Sequence, residues 1–173
     1  MVRHTEQAII YSPLYIHTFR LFQPHTLIEA EKFNIANTDP SLLATTADKL
    51  RYYRYRQALL QRDVAASVGI CLPTYRDYER KSHDCYPIEH LQKISEVFNV
   101  NIENLLDDYN LFLYRGQGWQ IVALRRNMGL SQLEFAKLHG VDSRKVIQWE
   151  NDKVRILKNT WNKLFETAKH AIG

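Results

Sequence analysis

Residues 125–151 read Arg125-Arg126-Asn127-Met128-Gly129-Leu130-Ser131-Gln132-Leu133-Glu134-Phe135-Ala136-Lys137-Leu138-His139-Gly140-Val141-Asp142-Ser143-Arg144-Lys145-Val146-Ile147-Gln148-Trp149-Glu150-Asn151. Ile121, Leu124, Arg125 and Met128 stand at helical spacing ahead of Gly129, which ends the helix by taking the left-handed conformation. Ser131 followed by Glu134 predicts a capping box at the start of the next helix. The buried face expected of that helix is Leu130, Phe135, Ala136 and Leu138. Gly140 closes it, Val141 plugs the core, and Asp142 caps a third helix running to about Trp149. Ala136 is small enough to let the two turn-linked helices cross steeply, as a helix-turn-helix requires.

The same pattern occurs earlier in the chain. A shift of 71 positions lays Arg54–Arg80 over Arg125–Asn151 without a gap. Arg54, Leu59, Gln61, Ala65, Gly69 and Glu79 fall on identical residues, and Tyr53, Val64, Ile70, Tyr75 and Tyr78 fall on apolar or aromatic ones. The identities lie where a turn or a close approach constrains the residue, so an internal duplication is the reading. Arg54 with Glu79 and Arg125 with Glu150 keep the same spacing of 25 in the two copies. No second carboxylate or histidine accompanies those glutamates at a fixed spacing in both copies, so an acid–base role is not expected.

These residues resemble the phage-repressor, or XRE, type of helix-turn-helix, present twice. The resemblance implies an all-α protein of two lambda-repressor-like bundles in tandem, with Arg54–Glu79 and Arg125–Glu150 as structural ion pairs between the first helix and the end of the third. Domains are expected at 45–114 and 115–173, with 1–44 as an N-terminal extension. It implies a DNA-binding transcriptional regulator, most often a repressor, whose third helix enters the major groove. The glutamine opening the second helix, Gln61 or Gln132, would contact phosphate or support the reading residues. In the second copy the groove-facing positions would be Ser143, Arg144, Lys145 and Gln148. Arginine pairs with guanine O6 and N7, glutamine with adenine N6 and N7, and Lys145 is placed for phosphate. Asn151, Lys153 and Arg155 would meet the backbone of the duplex.

The first copy offers a weaker set. Leu72, Pro73, Thr74, Arg76 and Asp77 occupy the corresponding positions, and proline brings no hydrogen bond. Arg62, Thr74, Arg76, Arg80 and Lys81 remain candidates for DNA contact, with a platform for a partner protein as the alternative use. That alternative extends to a second class of function, an antitoxin-like or anti-repressor interaction module that also binds its own promoter.

Charge agrees with this asymmetry. The 173 residues carry a net +4. Residues 115–173 hold eleven Lys or Arg against five Asp or Glu, whereas 1–114 hold twelve against fourteen. The basic excess therefore lies in the second copy, where an anionic partner would bind. Few glycines and prolines favour helices over a sandwich or barrel. No apolar run is long enough to span a bilayer, and two cysteines make no disulfide framework, so a cytoplasmic protein is expected, with neither membrane nor cofactor.

The rest of the chain is read more coarsely. Pro87–Phe98 predicts a helix, and Asn101 caps another from Ile102 to about Leu113, with Ile102, Leu105, Leu106 and Tyr109 inward. Gly116-Gln117-Gly118 reads as a linker. Lys158–Ile172 closes the second copy through Trp161, Leu164, Phe165 and Ala168. In the extension, Leu14–Phe22 fits a strand or a buried helix, Thr26–Phe33 a short helix, and Thr45 or Thr46 caps the first repeat. Nine large apolar residues between Ile9 and Phe22 suggest packing on the first copy or a homodimer. His83, Cys85 and His90, with Cys71 upstream, match no common zinc spacing, so no metal site is assigned.

Overall fold

A computed structural model describes residues 25–80 and 83–172, with side chains for 28–80 and 83–165. The expectations for Leu14–Phe22, Lys81 and the Ala168 side chain fall outside them. The described residues form ten α-helices and no strand, an all-α fold. They are α1 (His25–Ala36), α2 (Thr46–Arg56), α3 (Gln61–Val68), α4 (Leu72–Tyr78), α5 (Ile88–Phe98), α6 (Asp108–Tyr114), α7 (Gln117–Asn127), α8 (Gln132–His139), α9 (Ser143–Glu150) and α10 (Lys158–Ile172), with 3₁₀ turns at Pro40–Leu42 and Ile102–Asn104. None of the described helices is long and apolar enough to cross a membrane.

The 71-residue shift reappears element by element. α2 and α3 begin and end 71 residues before α7 and α8. Gly69 and Gly140 both close the helix before the turn in the left-handed conformation, at φ 77° and 63°. Ile70 N donates to the Ala65 carbonyl at 3.0 Å, and Val141 N to the Ala136 carbonyl at 2.9 Å. Ala65 and Ala136 are both 2% exposed at the point where the helices meet. A larger side chain at either place would force these helices apart.

Each unit has its own core. Leu50, Val64, Tyr75, Leu91, Ile94 and Phe98 centre the first, and Ile121, Phe135, Val146, Trp149, Ile156 and Leu164 the second. Four expectations are corrected. The helix from Ile102 to Leu113 is two elements, because Asp107 accepts from Asn110 N at 2.8 Å and starts α6 afresh. Tyr109 and Phe112 of α6 are inward, but in the second core, where the Tyr109 hydroxyl donates to the Ile156 carbonyl at 2.7 Å. Gly116-Gln117-Gly118 is not a linker. Gln117 and Gly118 are buried in the first turn of α7, and Gln117 Nε2 donates to the Val154 carbonyl at 2.6 Å. Leu138 is exposed: Phe135 and Ala136 define the inner side of α8, and Leu138, about 60° from Phe135 on the side away from Ala136, lies beyond its edge.

The two units are joined through Asp107. Its backbone N donates to Thr46 Oγ1 at 2.9 Å in the first unit, and its carboxylate accepts from Lys158 Nζ at 3.3 Å at the start of α10. Of the two residues weighed as the cap of α2, Thr45 does the capping, accepting from Asp48 N at 3.1 Å.

Candidate nucleic-acid interface

α9 is held by its two ends and its inner side. Asp142 accepts from Arg144 N at 2.7 Å, satisfying a donor that the first turn would leave open. Ahead of it, Ser131 and Glu134 form the reciprocal cap of α8, at 3.3 Å and 2.8 Å. Val146 and Trp149 anchor the inner side of α9 in the second core, at 0% and 5% exposure.

The end of α9 is fixed by an ion-pair network that the first unit repeats. Glu150 accepts from Arg125 Nε at 2.6 Å and from Gln132 Nε2 at 2.7 Å, while Arg125 Nη1 donates to the Leu130 carbonyl at 2.9 Å. Glu79 accepts from Arg54 Nε at 2.5 Å and from Gln61 Nε2 at 2.7 Å, while Arg54 Nη1 donates to the Leu59 carbonyl at 3.2 Å. Each network joins the first three helices of its unit. Gln61 and Gln132 thus spend amide hydrogens inside the protein, on the glutamate that ends the third helix of each unit. Burial opposes ionisation of Glu150, but hydrogen bonds from Arg125 and Gln132 outweigh it and hold the carboxyl below the ordinary glutamate range. Burial likewise opposes the charge on Arg54, and Glu79 more than restores it.

The outer side of α9 is then a row set by helical phase. Arg144, Lys145 and Gln148 are exposed and Ser143 is half-buried. The side chains of Arg144, Lys145 and Gln148 make no hydrogen bond or ion pair among the described residues. Ile147 lies among them at 42% exposure. The polar pattern does not single it out, although its place three residues after Arg144 puts it on the same side. Beyond the helix, Asn151 and Lys153 are exposed, and Asn151 Nδ2 caps back onto the Ile147 carbonyl at 2.7 Å. Arg155 departs from the row, donating to Cys85 Sγ at 2.7 Å across the junction of the units.

The corresponding side of the first unit is differently occupied. Arg80 pairs with Asp77 at 3.2 Å and Arg62 approaches Asp63 at 3.5 Å, both exposed. Thr74 Oγ1 lies 2.9 Å from Cys71 Sγ. Arg76 is exposed, but Glu29 of α1 shares with it a cavity of about 260 Å³ that Leu60, Arg62 and Leu72 also line.

His90 Nδ1 lies 2.6 Å from the Tyr78 hydroxyl. Among the described residues no group of three His, Cys, Asp or Glu is placed to hold a metal ion. No family model matches the chain, and neither a curated protein nor a solved structure is significantly similar to it.

Proposed function

We propose that the protein is a sequence-specific regulator of transcription, a repressor, that binds double-stranded DNA through its second unit. The observation that carries this reading is the unpartnered row Arg144, Lys145 and Gln148 on a helix whose opposite side is locked into the core. A long cationic side chain left free on a rigid helix keeps its hydrogen-bonding capacity for a partner, and a guanidinium fits the edge of guanine. Ile147 on the same side suits a thymine methyl. Lys145 and Lys153 supply charge for phosphate, and the net positive excess of residues 115–173 supports it. The duplicated Arg–Glu–Gln network supports the resemblance to phage-repressor units, since it ties the end of each third helix to the two before it.

A different observation favours a second use for the first unit. Pro73 brings no hydrogen bond, and the Asp77–Arg80 and Asp63–Arg62 pairs reduce the free positive charge there, so this unit serves as a platform for a protein, in the manner of an anti-repressor or antitoxin. Duplexes enriched from a random pool, titrated by fluorescence anisotropy against Arg144→Ala and Arg76→Ala, test both statements. The reading requires Arg144→Ala to lose affinity for the enriched sequence and Arg76→Ala to retain it.

A further inference from the structure

The duplication allows one half of the molecule to be compared with the other. In the first unit the outer face of α2 is covered by α1 and the segment that follows it: the Phe33 ring packs edge-on against Tyr55 at 5.5 Å, the Arg51 guanidinium lies over Phe33 at 5.5 Å, and the Tyr52 hydroxyl donates to the Thr38 carbonyl, just beyond α1, at 3.2 Å. Moved by 71 residues, Arg51, Tyr52 and Tyr55 become Val122, Ala123 and Arg126 of α7. That face carries no covering helix among the described residues. It is an open groove formed by Trp119, Val122, Ala123 and Arg126, at i, i+3, i+4 and i+7, with Asp152 at its edge. Trp119 is 62% exposed, its ring anchored by Nε1 donating to the Arg115 carbonyl at 2.8 Å.

The same chain carries a matching surface. α1 buries Ala30 and packs Phe33 on the first unit, and turns Ile28, Glu31, Lys32 and Ile35 outward, again at i, i+3, i+4 and i+7. Ile35 is 71% exposed. The two stripes are complementary in kind: each has large apolar groups along a helix, and an arginine and an aspartate on one face an exposed glutamate and lysine on the other. Both stripes are open within the described residues of one chain, so a second chain can supply what each lacks.

We infer that this face is an interface with a second copy of the chain, in which the outer stripe of α1 of one protomer packs into the α7 groove of its partner, reciprocally. Two such contacts close a two-fold dimer and use all four stripes. Glu31 meets Arg126, and Lys32 meets Asp152. α1 is then held between α2 of its own chain and the repeat-related α7 of the partner. The inference does not depend on DNA binding.

Sedimentation velocity of the full chain at micromolar concentration tests it, with circular dichroism to confirm that the exposed substitutions leave the fold unchanged. The wild type should run as a dimer of the 20.4 kDa chain. Glu31→Arg and Arg126→Glu should each weaken the dimer about tenfold or more, because two pairs per dimer become repulsive. Mixing these two single variants should restore dimers, since both seams of the mixed dimer again join opposite charges, whereas each variant's own homodimer joins like charges at both. A monomeric wild type overturns the inference, including one whose Trp119 is covered by residues 1–24 of its own chain. So does a dimer weakened by Arg126→Glu and indifferent to Glu31→Arg, which would pair α7 with α7. The double variant Glu31→Arg with Arg126→Glu reverses both members of each pair, so it should dimerise like the wild type, and its failure to do so also overturns the inference.

Discussion

Ala58 holds, at φ 54°, the left-handed position that Gly129 holds at φ 69° in the second unit. Both residues end the first helix of a unit, and both precede a leucine whose amide bonds back to the paired arginine's carbonyl, at 3.1 Å for Leu59 and 3.2 Å for Leu130. A Cβ in this conformation costs about 1 kcal/mol, which glycine avoids. Ala58→Gly should therefore stabilise the protein by about 0.5–1 kcal/mol although glycine gains freedom in the unfolded chain. Chemical denaturation with an unchanged m-value is the check, and a drop in stability would mean that the first unit does not need the left-handed turn.

Gly118 predicts the opposite sign. A Cβ there would lie 2.5 Å from the Glu150 carbonyl oxygen and 2.7 Å from Asp152 Oδ2. Gly118→Ala improves helix propensity in α7, yet it drives a methyl group into backbone that also carries the Arg125 partner. The clash should dominate, lowering stability by about 1–3 kcal/mol in thermal or denaturant unfolding. Stabilisation would show that α7 and the end of α9 can part freely.

Glu150 makes stability depend on acid. Its folded carboxyl titrates below the unfolded one, so its contribution is complete above the unfolded value, near 4.3, and is lost as pH falls through the folded value. Glu150→Gln should be less stable at pH 7, by about 1–3 kcal/mol, since the part-buried Arg125 loses its counter-charge. It should also show a flatter decline of stability below about pH 5 than the wild type. Equal acid slopes in the two proteins would remove Glu150 from this role.

Phosphate binding predicts a salt slope. Replacing Lys145 and Lys153 by alanine together should reduce the slope of log affinity against log salt by about 0.9 for each phosphate no longer neutralised. Arg155 is omitted because its guanidinium is bonded to Cys85. An unchanged slope would place the groups that neutralise the DNA backbone elsewhere.

The sequence revealed the two units because their demands are local and repeated. Arg and Glu 25 apart, an alanine four before a glycine, and a capping pair each specify one geometry, and each is found as expected. Signals that depend on tertiary context were not legible. Leu105, Leu106 and Tyr109 keep a helical phase across Asp107, so periodicity alone joins two elements that the aspartate separates. Nothing local tells that Gly118 faces the Glu150 carbonyl, or that α1 lies along α2 through Phe33. In the candidate interface, Arg144, Lys145 and Gln148 follow from helical phase, whereas the engagement of Gln132 with Glu150 and of Arg155 with Cys85 requires the fold.

The most direct test of the DNA-binding claim is a paired titration of wild type and Arg144→Ala on the duplex enriched by the wild type and on a scrambled duplex of equal length, at one salt concentration. The wild type should prefer the enriched duplex, and Arg144→Ala should bind it about 1–3 kcal/mol more weakly while changing little on the scrambled one, as removal of a guanine pairing requires. Equal affinity of the two proteins for both duplexes, or no enrichment from the pool, would contradict the assignment of α9 as the helix that reads DNA.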